Sequence, residues 1–150
     1  MADILTKKER SAMMSKIRST NTKPEILIRK HLHGLGFRYR KNQKAIEGHP
    51  DIVLKKYNAL IFIHGCFWHG HDCPLYRLPK TNRKFWKKKI DVNRKRDEVV
   101  MAKLADSQWR TMVIWECAIR GKNGKEILRK ISKISSWIKS KKVYSYSEVN

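Results

Sequence analysis

Apolar positions recur along the chain at two spacings, and the switches between them mark out the elements. Lys7 to Arg18 is basic and carries only a short stripe, Met13, Met14 and Ile17, so the predicted first helix has little to bury. Thr22-Lys23-Pro24-Glu25 matches a capping box with proline early in the first turn. It predicts a helix through Ile26, Leu27, Leu32 and Leu35, closed by Gly34 and Gly36. Phe37 to Arg40 reads as a short strand. Pro50 to Leu54 and Ala59 to Ile63 read as two more, joined across Lys55-Lys56-Tyr57-Asn58. A turn centred on Tyr57 sets Asp51 opposite Ile63, at the sheet end where His64 begins. A long helix follows, capped at Thr81 or Asn82 and reaching about Leu104, with Phe85, Trp86, Ile90, Val99, Val100 and Leu104 as its apolar points. Trp109 to Glu116 alternates as a core strand and delivers Cys117 at its end. Gly124 to Lys139 spaces Ile127, Leu128, Ile131, Ile134, Trp137 and Ile138 for a helix whose role is core packing.

These elements predict an α/β (α+β) fold with a central mixed β-sheet of at least four strands flanked by helices. The 150 residues fit one domain, in which 1–20 form a basic arm and 141–150 a polar tail. Asp51, His64 and Cys117 all fall at strand ends, where open α/β sheets tend to place their sites.

Charge narrows the partners. The formal net charge is +22, from 35 Lys+Arg against 13 Asp+Glu, and repulsion on that scale points to a polyanion, nucleic acid ahead of an acidic membrane surface. Nine of the seventeen residues from Lys80 to Arg96 are Lys or Arg, with Asp91 the single acid, so pairing within the helix cannot neutralise them. Lys84, Lys87, Lys88 and Lys89 are the candidate phosphate contacts. No apolar run approaches the roughly 18 residues of a membrane span, and no hydrophobic secretory segment opens the chain. Three cysteines cannot all pair as disulfides, so a cytoplasmic protein with reduced thiols is expected.

Most of the candidate chemistry lies in one stretch, His64-Gly65-Cys66-Phe67-Trp68-His69-Gly70-His71-Asp72-Cys73. Cys66, His71 and Cys73 supply two thiolates and an imidazole, and Cys117 completes a Cys₃His set suited to a closed, structural zinc site. The bland alternative is three ordinary buried thiols and a surface imidazole. His64 and His69 remain outside that set. Asp51 is an oxygen donor suited to Mg²⁺, and a neutral imidazole can accept a proton from an attacking water; phosphodiester hydrolysis needs both. Glu25 and Asp97 are carboxylates able to orient the imidazoles or the water, although Glu25 also has a complete explanation as a cap. Phe67, Trp68 and Trp86 suit either wedges into a base stack or a cap on the core beside zinc. The same residues fit two rival classes: a zinc-stabilised nucleic-acid-binding module without catalysis, and a catalytic-zinc hydrolase or deaminase. Cys117 as a fourth ligand argues against the last.

Phe62-Ile63-His64-Gly65-Cys66-Phe67-Trp68-His69 with His71 and Cys73, Gly48-His49-Pro50-Asp51, and Trp115-Glu116-Cys117-Ala118-Ile119-Arg120-Gly121 resemble the very-short-patch-repair DNA mismatch endonucleases, from about Ser11 to Ile138. The resemblance implies a restriction-endonuclease-like fold and a strand-specific nick 5′ of the thymine in a T:G mismatch left by 5-methylcytosine deamination. It places Asp51 on the Mg²⁺-binding aspartate, His69 on the general base, and Glu25, His64 and Asp97 on supporting positions. Cys66, His71, Cys73 and Cys117 fall on the structural zinc ligands. Phe67, Trp68 and Trp86 match intercalating rings, and Met14 a residue inserted from the other side. Family members act as monomers, so a monomer acting on double-stranded DNA is expected, with repair-pathway proteins only as candidate partners that the sequence does not specify. Two positions depart from the pattern. Ile63 stands where family members often have threonine and can offer Mg²⁺ only its backbone carbonyl. Gly70-His71-Asp72 replaces a histidine-rich run and leaves His71 as the clearest imidazole ligand.

Overall fold

A computed structural model describes residues 5–17, 19–140 and 146–150. Among the described residues, four helices, α1 (Lys7–Ser15), α2 (Lys23–Gly34), α3 (Arg83–Ala105) and α4 (Gly124–Lys139), accompany five strands: β1 (Arg40–Lys41), β2 (Ile52–Leu54), β3 (Ala59–His64), β4 (Arg110–Trp115) and β5 (Tyr146–Val149). The sheet order follows the chain. β2 runs antiparallel to both β1 and β3, whereas β3, β4 and β5 run parallel, so the sheet is mixed as expected.

Alternation along the strands divides the core in two. Ile52, Leu54, Ile61, Met112 and Ile114 pack against Ile28 and Leu32 of α2 and Ile131, Ile134 and Ile138 of α4. Val53, Leu60, Phe62 and Val113 face the other way, onto Val100 and Leu104 of α3. Helices thus cover both faces, and the period of two along each strand assigns residues to one or the other.

Several expectations need correction. The predicted strand Phe37 to Arg40 shrinks to Arg40–Lys41, with Phe37 instead buried under α4's face of the sheet. The β2–β3 connection is a 3₁₀ turn, Lys55–Tyr57, ending on Asn58 at φ 48°. Val53 pairs with Leu60, which sets Asp51 against Phe62 rather than Ile63. On α2 the buried apolar residues are Ile28 and Leu32, while Ile26 and Leu35 are about half exposed (49% and 53%). On α3, Phe85 and Val99 point outward, as Leu128 does on α4. Asn82 precedes α3 in a left-handed conformation and makes no side-chain cap bond. The polar tail is not featureless: β5 adds a fifth strand beside β4. Arg18 and residues 141–145 lie outside the described residues.

Three features set the site. Phe37's amide closes α2 onto the Leu32 carbonyl at 3.0 Å, with Gly36 at φ 91°, the conformation a Schellman ending requires. Buried Arg110 donates to the Tyr57, Trp137 and Ile138 carbonyls, tying the end of α4 to the β2–β3 turn. α1 carries a full capping box, Thr6 with Glu9, yet buries no residue. Among the described residues no helix is long and apolar enough to cross a membrane.

Candidate active site and metal centre

The C-terminal ends of β3 and β4 lie side by side, His64 against Trp115, and the loop after β3 folds back over them. Its turns are tight: His69 N–H donates to the Gly65 carbonyl at 3.2 Å and His71 N–H to the Cys66 carbonyl at 2.9 Å. Gly70 sits at φ 60°, where a Cβ would come within 2.7 Å of Ile90 and 2.9 Å of Arg94. Only glycine satisfies both the backbone and the packing there. Asn93 of α3 holds the loop from the other side, donating to the Trp68 carbonyl at 2.9 Å.

This folding sorts the ligands by direction. The donor atoms of Cys66, His71, Cys73 and Cys117 all lie within 4.8 Å of one another, with Cys66 fully buried. Cys117 N–H donates to Cys66 Sγ at 3.3 Å, and Cys117 Sγ lies 3.5 Å from His71 Nδ1. Burial pushes the Cys66 and Cys117 thiols above their ordinary range, which leaves a buried sulfur cluster short of a cation. Three soft donors and an imidazole at this spacing fit zinc, and with four protein ligands such a centre is closed. The His71 ring stacks on Trp115 at 4.1 Å, which fixes its plane.

The remaining histidines face away from the sulfurs. His69 and His64 stack at 3.8 Å with rings 2° from parallel. His69 Nδ1 meets Asp97 Oδ2 at 2.5 Å; because the carboxylate accepts, Nδ1 carries the hydrogen and Nε2 keeps its lone pair. Burial raises the Asp97 carboxyl, but the His69 hydrogen bond and the fields of His69, His64 and Arg96 outweigh it and leave it below its ordinary value. Burial, helped by the fields of His69 and Arg96, holds His64 down to about 3. His64 is therefore neutral at neutral pH.

Asp51 stands across the same cleft. Its N–H donates to the Ile61 carbonyl at 3.1 Å and its Oδ2 accepts from Ile63 N–H at 2.7 Å, so the side chain continues the ladder beyond the end of β2. Burial, with the nearby negative charge of Glu25, raises it to about 7, against the pull of the Ile63 bond and Arg29. A buried carboxylate so reluctant to ionise is short of positive charge. It is one side-chain oxygen donor in an open cleft, which fits Mg²⁺, an ion that keeps several waters and takes one or two carboxylates.

Glu25 is 2% exposed. Its carboxylate accepts from Asn21 N–H at 2.9 Å and Thr22 Oγ1 at 3.3 Å, so the expected capping box closes one residue early, on Asn21 rather than on the cap. Arg29, which the sequence reading missed, lies 3.7 Å from Glu25 and donates to Asn21 Oδ1 at 2.8 Å. Its position four residues beyond Glu25 on a helix was the available signal. Glu116 was also missed: its carboxylate accepts from Cys66 N–H at 3.3 Å and pairs with Arg120.

One cleft of about 930 Å³ is lined by Glu25, Asp51, Ile63, His64, His69 and Asp97 together, with Met14 and Trp68 in its wall. All five candidate catalytic side chains are thus brought into one place. Phe67, Trp68 and Trp86 form a cluster at its rim, with centroids 5.2 to 5.9 Å apart, which Phe85 extends. Lys89 Nζ lies 5.5 Å from both tryptophan rings, while Lys84, Lys87 and Lys88 are exposed along the same helix.

A mixed sheet with a closed thiolate-rich centre, a carboxylate and an imidazole–carboxylate pair in one cleft, and a cationic rim defines the class of metal-assisted enzymes acting on polyanions. Comparisons give the family. A model of the DNA mismatch endonuclease Vsr family matches residues 2–75. A type II nicking enzyme of Neisseria meningitidis serogroup A is 49% identical over 81% of this chain and 87% of its own length. Another from Xanthomonas oryzae pv. oryzae is 43% identical over 79% and 88%, and the DNA mismatch endonuclease Vsr of Escherichia coli is 36% identical over 92% and 88%. The chain belongs to the DNA mismatch endonuclease Vsr family, whose fold is restriction-endonuclease-like, and is a DNA endonuclease.

Proposed function

We propose that the protein is a Mg²⁺-dependent, strand-specific endonuclease that nicks 5′ of the thymine in T:G mismatches arising from 5-methylcytosine deamination. The observation that carries this reading is the shared cleft: Asp51, just before β2, and His69, in the loop after β3, line one cavity.

Each group has a role its surroundings support. His69 Nε2 accepts a proton from the attacking water, and Asp97 stabilises the imidazolium that results while keeping the ring in one tautomer. His64, stacked and neutral, orients the ring without competing for the proton. Asp51 would hold Mg²⁺, with the Ile63 carbonyl available as a second oxygen, and the ion would supply positive charge to the scissile phosphate. Glu25 adds negative charge beside Asp51. Cys66, His71, Cys73 and Cys117 hold Zn²⁺ and fix the loop. Phe67, Trp68 and Trp86 enter the base stack from one side and Met14 from the other, a step that costs least at a mismatch. Lys84, Lys87, Lys88 and Lys89 meet phosphates. The protein acts as a monomer in the cytoplasm, on the nucleoid, in concert with repair-pathway proteins.

The test is an end-labelled duplex panel carrying one T:G pair in every flanking context, with and without Mg²⁺. A nick 5′ of the thymine in at least one context, dependent on Mg²⁺ and absent from the T:A control, is expected. No nick in any context would contradict the reading.

A further inference from the structure

α4 presents a face that the cleft does not use. Its inner side is core, but Lys125, Arg129 and Lys133 recur every four residues on its outer side, and all three are exposed. At the rise of an α-helix they stand about 6 Å apart in one row, with exposed Ser132 and Ser136 beside them. The helix's single acid, Glu126, is committed to its own cap, accepting from Asn123 N–H. Among the described residues no carboxylate lies within ion-pair distance of Lys125, Arg129 or Lys133.

An ordinary solvated helix face places opposite charges four residues apart; this one places like charges there twice in succession, which weakens the helix unless an anion lies along it. Several acids are engaged elsewhere: Glu25 and Asp51 in the cleft, Asp97 on His69, Glu116 on Cys66 and Arg120, Glu47 on Lys103. A row of cations and hydroxyls with no competing acid suits a phosphodiester backbone.

The row also lies on the far side of the sheet. α4 packs with α2 on one face, while α3, with the aromatic rim and the lysines, covers the other. Duplex DNA has a persistence length of about 150 bp, so a segment lying in the cleft cannot turn back around the sheet to reach this row. We propose that the outer face of α4 is a second, sequence-independent binding site for double-stranded DNA, taken by a separate duplex segment while the first lies in the cleft. It rests on DNA being the substrate and not on the choice of mismatch. An enzyme so built passes between segments of one long molecule by holding both.

A biotinylated mismatch duplex of about 30 bp is immobilised, saturated with the full chain in about 50 mM salt, and washed with a fluorescent homoduplex of the same length. The wild type retains the label. Lys125→Gln/Arg129→Gln/Lys133→Gln retains about tenfold less, and raising salt to about 200 mM releases it from the wild type. Because the three side chains are exposed, the triple variant keeps its zinc content and nicks or binds the immobilised duplex as the wild type does. Equal retention by the triple variant overturns the proposal, as does failure of the wild type to retain the label. Weaker binding of the first duplex by the triple variant would assign the row to the primary interface and also overturn it. So would capture of phosphatidylglycerol vesicles by the row without capture of homoduplex. None of these outcomes depends on whether the first duplex is nicked at T:G, so a failure of that reading would be seen separately.

Discussion

Two clusters grow from the same ten residues, and they differ in one respect. Around Cys66, His71, Cys73 and Cys117 every donor atom converges on a single point, within 4.8 Å of its neighbours, and no lone pair is left for a substrate. Around His64, His69 and Asp97 the donor atoms lie as close, but the set has three members and lines an open cleft, where His69 Nε2 keeps its lone pair and buried His64 Nδ1 has no hydrogen-bond partner. The histidines of one stretch thus fall into two groups, His71 in a closed four-donor set and His64 and His69 beside an open cleft.

The largest effect should follow from opening the closed cluster. Cys66→Ala, or removal of zinc by a strong chelator, should cost on the order of 10 kcal/mol of folding free energy and abolish nicking with it; a calorimetric melt unchanged from wild type would break the comparison. In the open cluster the order reverses. His69→Ala and Asp97→Asn should lower single-turnover nicking by about 10²- to 10⁴-fold while zinc content, by atomic absorption, stays at one per chain. Zinc lost from either variant would mean the two clusters are not separable.

A third prediction concerns Asp51, whose carboxyl is raised by burial from its ordinary 3.8 to about 7. Below about pH 4 it is protonated in folded and unfolded chain alike. Between about pH 4 and 7 the unfolded chain gives up the proton and the fold keeps it, so the wild type loses stability as pH rises through that window. Asp51→Asn should therefore melt higher than wild type at pH 8, with no difference near pH 4, in buffer free of added Mg²⁺. Added Mg²⁺ should erase the advantage at pH 8. An advantage that grows toward acid pH would show the sign to be wrong.

The smallest effect is at Gly70. Gly70→Ala should cost about 1–3 kcal/mol, because the residue has positive φ and its Cβ would meet Ile90 and Arg94. A chemical-denaturation midpoint equal to wild type would mean the loop yields more easily than its contacts indicate.

Much of this was legible beforehand, and where it was not the reasons are physical. Buried strands such as Ile52–Leu54 and Ala59–His64 announce themselves as apolar runs, and α4 was placed over Gly124–Lys139 by its periodicity. The clustering of Cys66, His71, Cys73 and Cys117 was readable because these donor types are rare in the chain. β5 was not: Tyr146–Val149 is a polar segment that becomes a strand only because β4 offers it a parallel edge. The exposed Phe85, Val99 and Leu128 misled because periodicity marks an apolar stripe without saying which of its members the core reaches. Arg29 stayed hidden because its importance lies in Asn21 and Glu25, which converge only once α2 is formed. The one-residue shift at Asp51 came from a 3₁₀ turn whose left-handed residue is Asn58, a conformation asparagine permits but does not impose.

The central claim, that Asp51 and His69 serve one reaction from two walls of one cleft, is tested most directly by single-turnover nicking of a T:G duplex by Asp51→Asn, His69→Ala and the double variant. Groups that act as a unit are not additive, so the double variant should be about as slow as the slower single one. Losses that multiply, or a wild-type rate from either single variant, would contradict it.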